Sequence, residues 1–177
     1  MKFECLQLVG KINEEMEKEV FNFLTKIPED VDTIFLFINS SGGAVISAVA
    51  IVNYLKLSGK NIVTINVGKC FSAANIIFLC TEKRYFLEYS IFMSHSTFAG
   101  NINEANSKHL KDTLQKSIEY DMFVKNYLKS HTEIPDEILK KTFDDCECDY
   151  YFSEQELIDY KIAKKISSLE EIKNDLN

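Results

Sequence analysis

The stretch TIFLFINSSGGAVISAVAIVNYLKLSGKNIVTINV, residues 33–67, decides the fold class. It opens with a continuous apolar run, 33–38, which is too short for a helix and rich in β-forming residues, so we expect a strand buried on both faces. The turn-forming residues 40–43 break this run, the pattern from 44 to 57 is helical and nearly all apolar, and 61–67 predicts a second strand. This order predicts an α/β fold with a largely parallel sheet, because such crossovers require helices packed on the sheet.

Elements of the same kind lie on both sides of this stretch. The apolar residues 3–9 precede a helix that Asn13 can cap, and 72–80 predicts another buried helix. Short strands are predicted at 85–87 and 91–94, on either side of a turn. We therefore expect repeated β-α-β units along most of the chain.

A single long helix is predicted from 104 to 130, with Leu110, Leu114, Ile118 and Met122 on one stripe. At 1.5 Å per residue it would be about 40 Å long. A domain of this size has a radius of gyration of about 16 Å, so part of the helix should project from it. We expect the projecting helix to bury its remaining apolar side chains against another copy of the chain: Tyr120, Phe123, Tyr127 and Leu128.

Composition and charge exclude several classes of protein. The 177 residues are 46% hydrophobic with only 2 prolines, which predicts one domain, 1–177, without a disordered linker. The net charge of −7 argues against nucleic acid or an anionic membrane as a partner, and no apolar run reaches the length of a membrane span. Five cysteines and an N-terminus unlike a signal peptide indicate free thiols in the cytoplasm. The pair Cys146 and Cys148 lacks the second pair that a zinc site usually needs, so we expect neither metal nor cofactor.

Three positions offer chemistry, each with a simpler alternative. His95 follows a predicted strand at the end of the sheet where α/β proteins bind ligands, or it is a buried histidine with its hydrogen bonds satisfied. Ser72 is an ordinary helix cap, or a nucleophile beside amides that stabilise an oxyanion. The amides of residues 40–43 bind an oxyanion or phosphate, or form a plain turn. The motifs of nucleotide-binding loops and of α/β-hydrolases are missing, and spacing alone selects no carboxylate to orient the histidine.

Four stretches resemble the ClpP family, the serine peptidase subunit of the Clp protease, whose fold is akin to the crotonases. Residues 38–43, INSSGG, resemble the family's Ile-Asn-Ser-Pro-Gly-Gly, and 67–74, VGKCFSAA, resemble its Val-Gly-Gln-Ala-Ala-Ser-Met-Gly. The third stretch holds two short motifs, KRY at 83–85 and MSH at 93–95, which resemble Lys-Arg-Tyr and Met-Ile-His. The fourth stretch, 149–153, resembles the segment that starts with the catalytic aspartate. The order and separation of the four make the resemblance specific, and it runs from about residue 5 to 166.

The resemblance implies a crotonase-like ClpP fold with a projecting handle at about 96–132, and a serine endopeptidase that cleaves small or unfolded peptides, with or without an ATPase. It assigns Ser72 as nucleophile, His95 as base and Asp149 as the residue that holds the imidazole. The amides of Gly43 and Ala73 would form the oxyanion hole. An extended peptide would pair with backbone at five further positions: Gly42, Ala44, Val45, Phe98 and Gly100.

The resemblance also implies a homo-oligomer, a heptameric ring or a double ring, but several residues depart from the family pattern. Ser41 replaces a proline, Ser96-Thr97 replaces Gln-Pro, and Ala73-Ala74 replaces Met-Gly, so the pocket should differ. Glu147-Cys148 stands where many members carry the Asp-Arg pair that links ring to ring, which weakens the expectation of a double ring. The chain starts close to its first strand, without the family's N-terminal extension, which puts coupling to an ATPase unfoldase in question.

Two alternatives to an active peptidase stay open from the sequence. The chain is an inactive ClpP-like ring subunit or scaffold if the changed flanking residues misalign the triad. It is a crotonase-type acyl-CoA enzyme if the same glycine-rich amides act on a thioester, a reaction that needs no serine nucleophile.

Overall fold

The computed structural model describes residues 2–97, 107–145 and 149–176, and in these ranges seven strands form one sheet. The strands are β1 Phe3–Ile12, β2 Thr33–Gly43, β3 Asn61–Phe71, β4 Arg84–Phe86, β5 Ile91–Ser94, β6 Tyr150–Phe152 and β7 Lys164–Lys165. The helices are α1 Glu14–Leu24, α2 Val45–Leu57, α3 Ala74–Phe78, α4 Ser107–His131, α5 Asp136–Leu139, α6 Glu154–Asp159 and α7 Leu169–Leu176, with a π-helical turn at Lys140–Asp144.

The sheet has the order β1-β2-β3-β4-β7, and β5 branches from β3 to pair with β6. All of its pairings are parallel except that of β5 with β6, which is antiparallel. The predicted strand, helix and strand of residues 33–67 are present as β2, α2 and β3. The α/β class predicted from this stretch is therefore confirmed.

The strands β2 and β3 run further than predicted, to Gly43 and Phe71 instead of 38 and 67. The register between them shifts after Ile38, and pairing resumes where Ser40 lies opposite Cys70. A register shift of this kind inserts a bulge and lets a strand continue through residues that usually break it. The expected break at residues 40–43 is therefore an irregular continuation of β2, which brings these residues beside the end of β3.

Apolar side chains are buried on both faces of the sheet, as predicted for 33–38. Leu36 belongs to the main core, together with residues of α1, α2, α3 and α4. Phe35 faces the opposite side in a smaller cluster with Tyr85, Ile166 and Ile172. Since Ile172 lies in α7, this C-terminal helix covers the second face.

Two helix starts that the sequence predicts are confirmed by their capping bonds: the cap at Asn13, and the one that the capping-box sequence Ser153-Glu-Gln-Glu156 indicates. The side chain of Asn13 accepts a hydrogen bond from the Met16 amide at 3.0 Å. Ser153 and Glu156 form a capping box at α6, in which the Ser153 amide donates to the Glu156 carboxylate at 2.8 Å. Each cap satisfies backbone groups that the first turn of a helix leaves unpaired.

The burial pattern of α4 corrects part of the predicted contact with another copy. Leu128 is 1% exposed inside the chain's own core, and Tyr127 packs against that core, so neither is left for another copy. The predicted stripe is instead exposed, at 44% to 59%: Leu110, Leu114, Ile118 and Met122. The reason is that α4 lies against α3, α5 and the π-helical turn, and these neighbours select the buried face. Residues 104–106 of the predicted helix lie outside the described residues.

Candidate active site

Ser72 occupies the turn between β3 and α3. Its φ is 55°, in the left-handed region that residues with a side chain rarely adopt. The helix α3 spans only Ala74–Phe78 and has Ala73 at its N-cap, so the predicted helix 72–80 is shorter than expected and Ser72 is not its cap. A strained serine at a sharp strand-to-helix turn has the geometry of a nucleophile elbow, here without the Gly-x-Ser-x-Gly sequence.

Hydrogen bonds join this turn directly to the strand that precedes His95. The Ser72 amide donates to the Met93 carbonyl at 3.0 Å, and the Asn75 amide donates to the Ser72 carbonyl at 2.9 Å. In the parallel pairing of β3 with β5, Phe71 lies opposite Met93. The candidate nucleophile and the candidate base therefore follow the adjoining ends of two paired strands, and both side chains are half-buried.

Gly42 lies against the same turn and leaves no room for a side chain. Its φ is +85°, and an added Cβ would lie 2.6 Å from the Phe71 carbonyl oxygen, 2.8 Å from Ser72 Cβ and 3.1 Å from the Ala73 nitrogen. An added Cβ on Gly43 would lie 2.1 Å from the Ile12 carbonyl oxygen. Two separated stretches that the resemblance assigns to one site, 38–43 and 67–74, are thus in contact, and only glycine permits the approach.

The amides around these glycines have different partners. The Gly42 amide donates to Ser40 Oγ at 3.0 Å, and the Ala44 amide donates to the Ile12 carbonyl at 2.9 Å. Ser40 in turn donates to the Gly10 carbonyl at 2.6 Å. These bonds fix the end of β2 against β1, so the segment from Gly42 to Ala44 presents its backbone in one defined conformation.

The imidazole of His95 contacts the backbone carbonyl of the next residue. Its Nδ1 lies 2.5 Å from the carbonyl oxygen of Ser96. Because a carbonyl oxygen only accepts hydrogen bonds, Nδ1 must carry the proton. Neutral His95 with this bond has its lone pair on Nε2, which is the form that a general base needs.

The segment after His95 is hydrogen-bonded to α4. The Thr97 amide donates to Asp121 Oδ1 at 2.6 Å, and the Thr97 hydroxyl lies 3.0 Å from the Ser117 carbonyl oxygen and 2.7 Å from Ser117 Oγ. Proline, the usual family residue here, has no amide hydrogen to donate. Burial raises the pKa of the Asp121 carboxyl, while the bonds from Thr97 and the positive charge of a protonated His95 act in the opposite direction. Asp121 is not predicted from the sequence, since nothing in the spacing marks it among the acidic residues of a polar helix.

Asp149 is exposed and immediately precedes β6. In the antiparallel pairing of β5 with β6, Ser94 lies opposite Tyr150. His95 follows β5 and Asp149 precedes β6, so each lies one residue beyond this last paired position. The register therefore brings their backbones near each other, whereas the hydrogen bond described at His95 Nδ1 goes to Ser96.

Several predicted positions lie outside the described residues. They are Phe98 and Gly100 of the predicted peptide-binding backbone, and the segment Cys146–Cys148 with its departure from the family's Asp-Arg pair. The cysteines that the structure does describe are free thiols: Cys5, Cys70 and Cys80.

The chain matches a known protein family. Residues 1–170 match the family model described as Clp protease. The chain belongs to the Clp protease family. A relative from Dehalococcoides mccartyi, named ATP-dependent Clp protease proteolytic subunit, is 26% identical over 172 residues, which cover 94% of this chain and 82% of the relative.

A solved structure of a ClpP1 mutant from Listeria monocytogenes has a TM-score of 0.73 to this chain at 24% identity, and the match covers 95% of this chain and 94% of the other. The expected ClpP fold is therefore confirmed, and so is the assignment to a family of proteases, hydrolases that carry out proteolysis. Among the helices of this Clp protease family member that the structure describes, none has the length and apolar character to cross a membrane.

Proposed function

We propose that this Clp protease family member is a serine endopeptidase that cleaves small or unfolded peptides. Ser72 is the nucleophile, His95 the general base, and Asp149 the carboxylate that stabilises the imidazolium. The observation that carries the proposal is the strained turn at Ser72, whose amide bonds to Met93, the residue two positions before His95. A non-glycine residue in this left-handed conformation costs about 1–2 kcal/mol, and such strain is concentrated at functional sites.

The proposed reaction has two stages. His95 Nε2 takes the proton of Ser72 Oγ, which attacks the scissile carbonyl carbon, and the amides of Gly43 and Ala73 stabilise the resulting oxyanion. His95 then donates the proton to the leaving amine, and water hydrolyses the acyl-enzyme by the same route. The contact of Gly42 with Ser72 and Ala73 supports this assignment, because it brings the glycine pair to the nucleophile.

We propose that the substrate binds as an extended strand. Gly42, Ala44 and Val45 would offer backbone on one side and Phe98 and Gly100 on the other, so that main-chain hydrogen bonds supply most of the affinity. The exposure of Gly43 and Ala44 at the end of β2 supports this mode. Recognition of the main chain predicts broad tolerance of side chains.

The exposed stripe of α4 supports a homo-oligomer, which we propose is a heptameric ring or a double ring of single-domain subunits, 1–177, with the handle 96–132 between neighbours. A row of apolar residues four positions apart needs a partner surface, and a second copy supplies one of matching chemistry. Peptide cleavage by serine chemistry consumes no nucleotide, so we propose that an ATPase, if one binds, assists only with delivery of folded proteins. The three free thiols support action in the reducing cytoplasm.

The test is the reaction of Ser72 itself. Ser72→Ala should abolish turnover of a fluorogenic peptide and labelling by a fluorophosphonate, with the adduct of the parent protein mapped to Ser72 by mass spectrometry. Ser58→Ala, which removes a hydroxyl at the end of α2 that bonds the Leu55 carbonyl, is the control and should leave both unchanged. Retained labelling in Ser72→Ala would refute the assignment, and an assembled parent that never reacts would favour the inactive ring subunit.

A further inference from the structure

Asn75 is a buried residue whose side-chain amide contacts the two strands of the candidate site. The residue is 1% exposed in α3. Its Nδ2 donates to the Met93 carbonyl at 2.9 Å and lies 2.8 Å from Ser94 Oγ. Its Oδ1 lies 3.5 Å from Cys70 Sγ in β3. One side chain thus bridges β3 and the end of β5.

The orientation of this amide follows from its partners. The Met93 carbonyl oxygen only accepts, so the atom of Asn75 that faces it must be the nitrogen. The same carbonyl also accepts the Ser72 amide at 3.0 Å, so its two hydrogen bonds come from the nucleophile's turn and from Asn75. Ser94 is 2% exposed and immediately precedes His95.

These contacts form a continuous path of covalent and hydrogen bonds between the candidate nucleophile and the candidate base. The path runs from Ser72 through the backbone of α3 to Asn75, across to Met93 and Ser94, and so to His95. A buried amide that loses one partner leaves an unsatisfied donor in an apolar environment, so the connection resists displacement. Displacements of about 1 Å between reacting groups lower catalysis by about 100-fold.

We propose that Asn75 and Ser94 are a pair of positioning residues that hold His95 in register with Ser72. This inference rests on the proposed serine peptidase activity and assigns to that site two residues which touch neither substrate nor reacting atoms. The pair sets the separation of nucleophile and base, so it acts on the rate of acylation and leaves peptide binding nearly unchanged.

The test compares Asn75→Ala and Ser94→Ala with the parent in its assembled form. The measurements are kcat and KM for the fluorogenic peptide, the second-order rate of fluorophosphonate labelling, and the melting temperature. Asn75→Ala should lower kcat and the labelling rate by about 10- to 100-fold with KM changed by less than about 3-fold. Ser94→Ala, which leaves the bond to Met93, should lose less, and Ser94→Thr should restore most of the rate because it keeps the hydroxyl.

A matched control separates positioning from stability. Thr64 donates a buried hydrogen bond of 2.8 Å to the Phe78 carbonyl, at the other end of α3. Thr64→Val should lower the melting temperature to a similar extent while the labelling rate stays within about 2-fold of the parent. The double variant Asn75→Ala with Ser94→Ala should be no slower than Asn75→Ala alone, since both changes break one connection.

The outcomes are distinguishable. If Ser72→Ala still labels, the proposed function fails. If Ser72→Ala is inert but the Asn75 and Ser94 variants label at the parental rate, only the positioning pair is refuted. The positioning role of the pair is also refuted if the labelling rate falls with the melting temperature in Thr64→Val as steeply as it does in Asn75→Ala. If Asn75→Ala does not fold, Ser94→Ala and its rescue by threonine decide the question.

Discussion

The strain at Ser72 predicts that the variant Ser72→Gly is more stable than the variant Ser72→Ala. At φ 55° any residue with a Cβ is in the left-handed region, where it costs about 1–2 kcal/mol. Glycine adopts this region without that cost but loses more conformational entropy on folding, about 0.5–1 kcal/mol relative to alanine. The difference leaves Ser72→Gly more stable than Ser72→Ala by about 0.5–1 kcal/mol, although both variants lack the nucleophile.

The assay is urea unfolding of the two variants followed by circular dichroism, at one protein concentration because assembly contributes to stability. The difference corresponds to a shift in melting temperature of about 1–4 °C. Lys161 has φ 52° after the end of α6, well away from the candidate site in the chain, so the pair Lys161→Gly and Lys161→Ala is the matched control. If that pair shows the expected order while Ser72→Ala equals or exceeds Ser72→Gly in stability, the strain argument for Ser72 is wrong.

The described contacts support four further predictions. Ile172→Ala should lower the free energy of unfolding by about 2–5 kcal/mol in urea titration, because Ile172 is the fully buried residue of α7 and packs against the second face of the sheet. No measurable change would mean that α7 does not cover this face. Arg84→Met should lower the free energy of unfolding by about 1–3 kcal/mol, since the guanidinium donates to three backbone carbonyls, including that of His131 at 3.0 Å. An unchanged free energy of unfolding would show that these bonds do not stabilise the fold. Burial raises the pKa of Asp121 in the folded chain, so ionisation of this carboxyl disfavours folding, a cost that is absent at low pH and appears as the pH rises. Asp121→Asn keeps the acceptor for the Thr97 amide and should therefore gain stability relative to the parent when the pH rises from about 3 to about 7. An equal stability difference between variant and parent at both pH values would contradict this. Ile118→Asp should shift the sedimentation coefficient toward the monomer, since the substitution places a charge in the exposed stripe of α4, and an unchanged assembly would exclude that stripe as an interface.

Residue chemistry and the family resemblance each identified only part of the candidate site. Residue chemistry alone left Ser72 between a helix cap and a nucleophile, and it selected no carboxylate. The resemblance to the ClpP family named Ser72, His95 and Asp149, because a family motif marks residue types at a site even where their separation along the chain is large. Neither kind of information found Asn75 or Asp121. A buried asparagine in an apolar stretch and an aspartate in a polar helix have no spacing signal, and their roles depend on which strand or loop lies opposite.

Local patterns by themselves determined the α/β class, the strand at 33–38 and the helix starts at Asn13 and Ser153. These follow from interactions within a few residues: a continuous apolar run that must be buried on both faces, and side chains that bond the amides of the next turn. Only the tertiary structure decided the left-handed turn at Ser72, the buried face of α4 and the covering of the second face by α7. Each depends on contacts between residues distant along the chain, such as Gly42 against Ser72. The combined packing of such contacts outweighs the local conformational preference of the sequence.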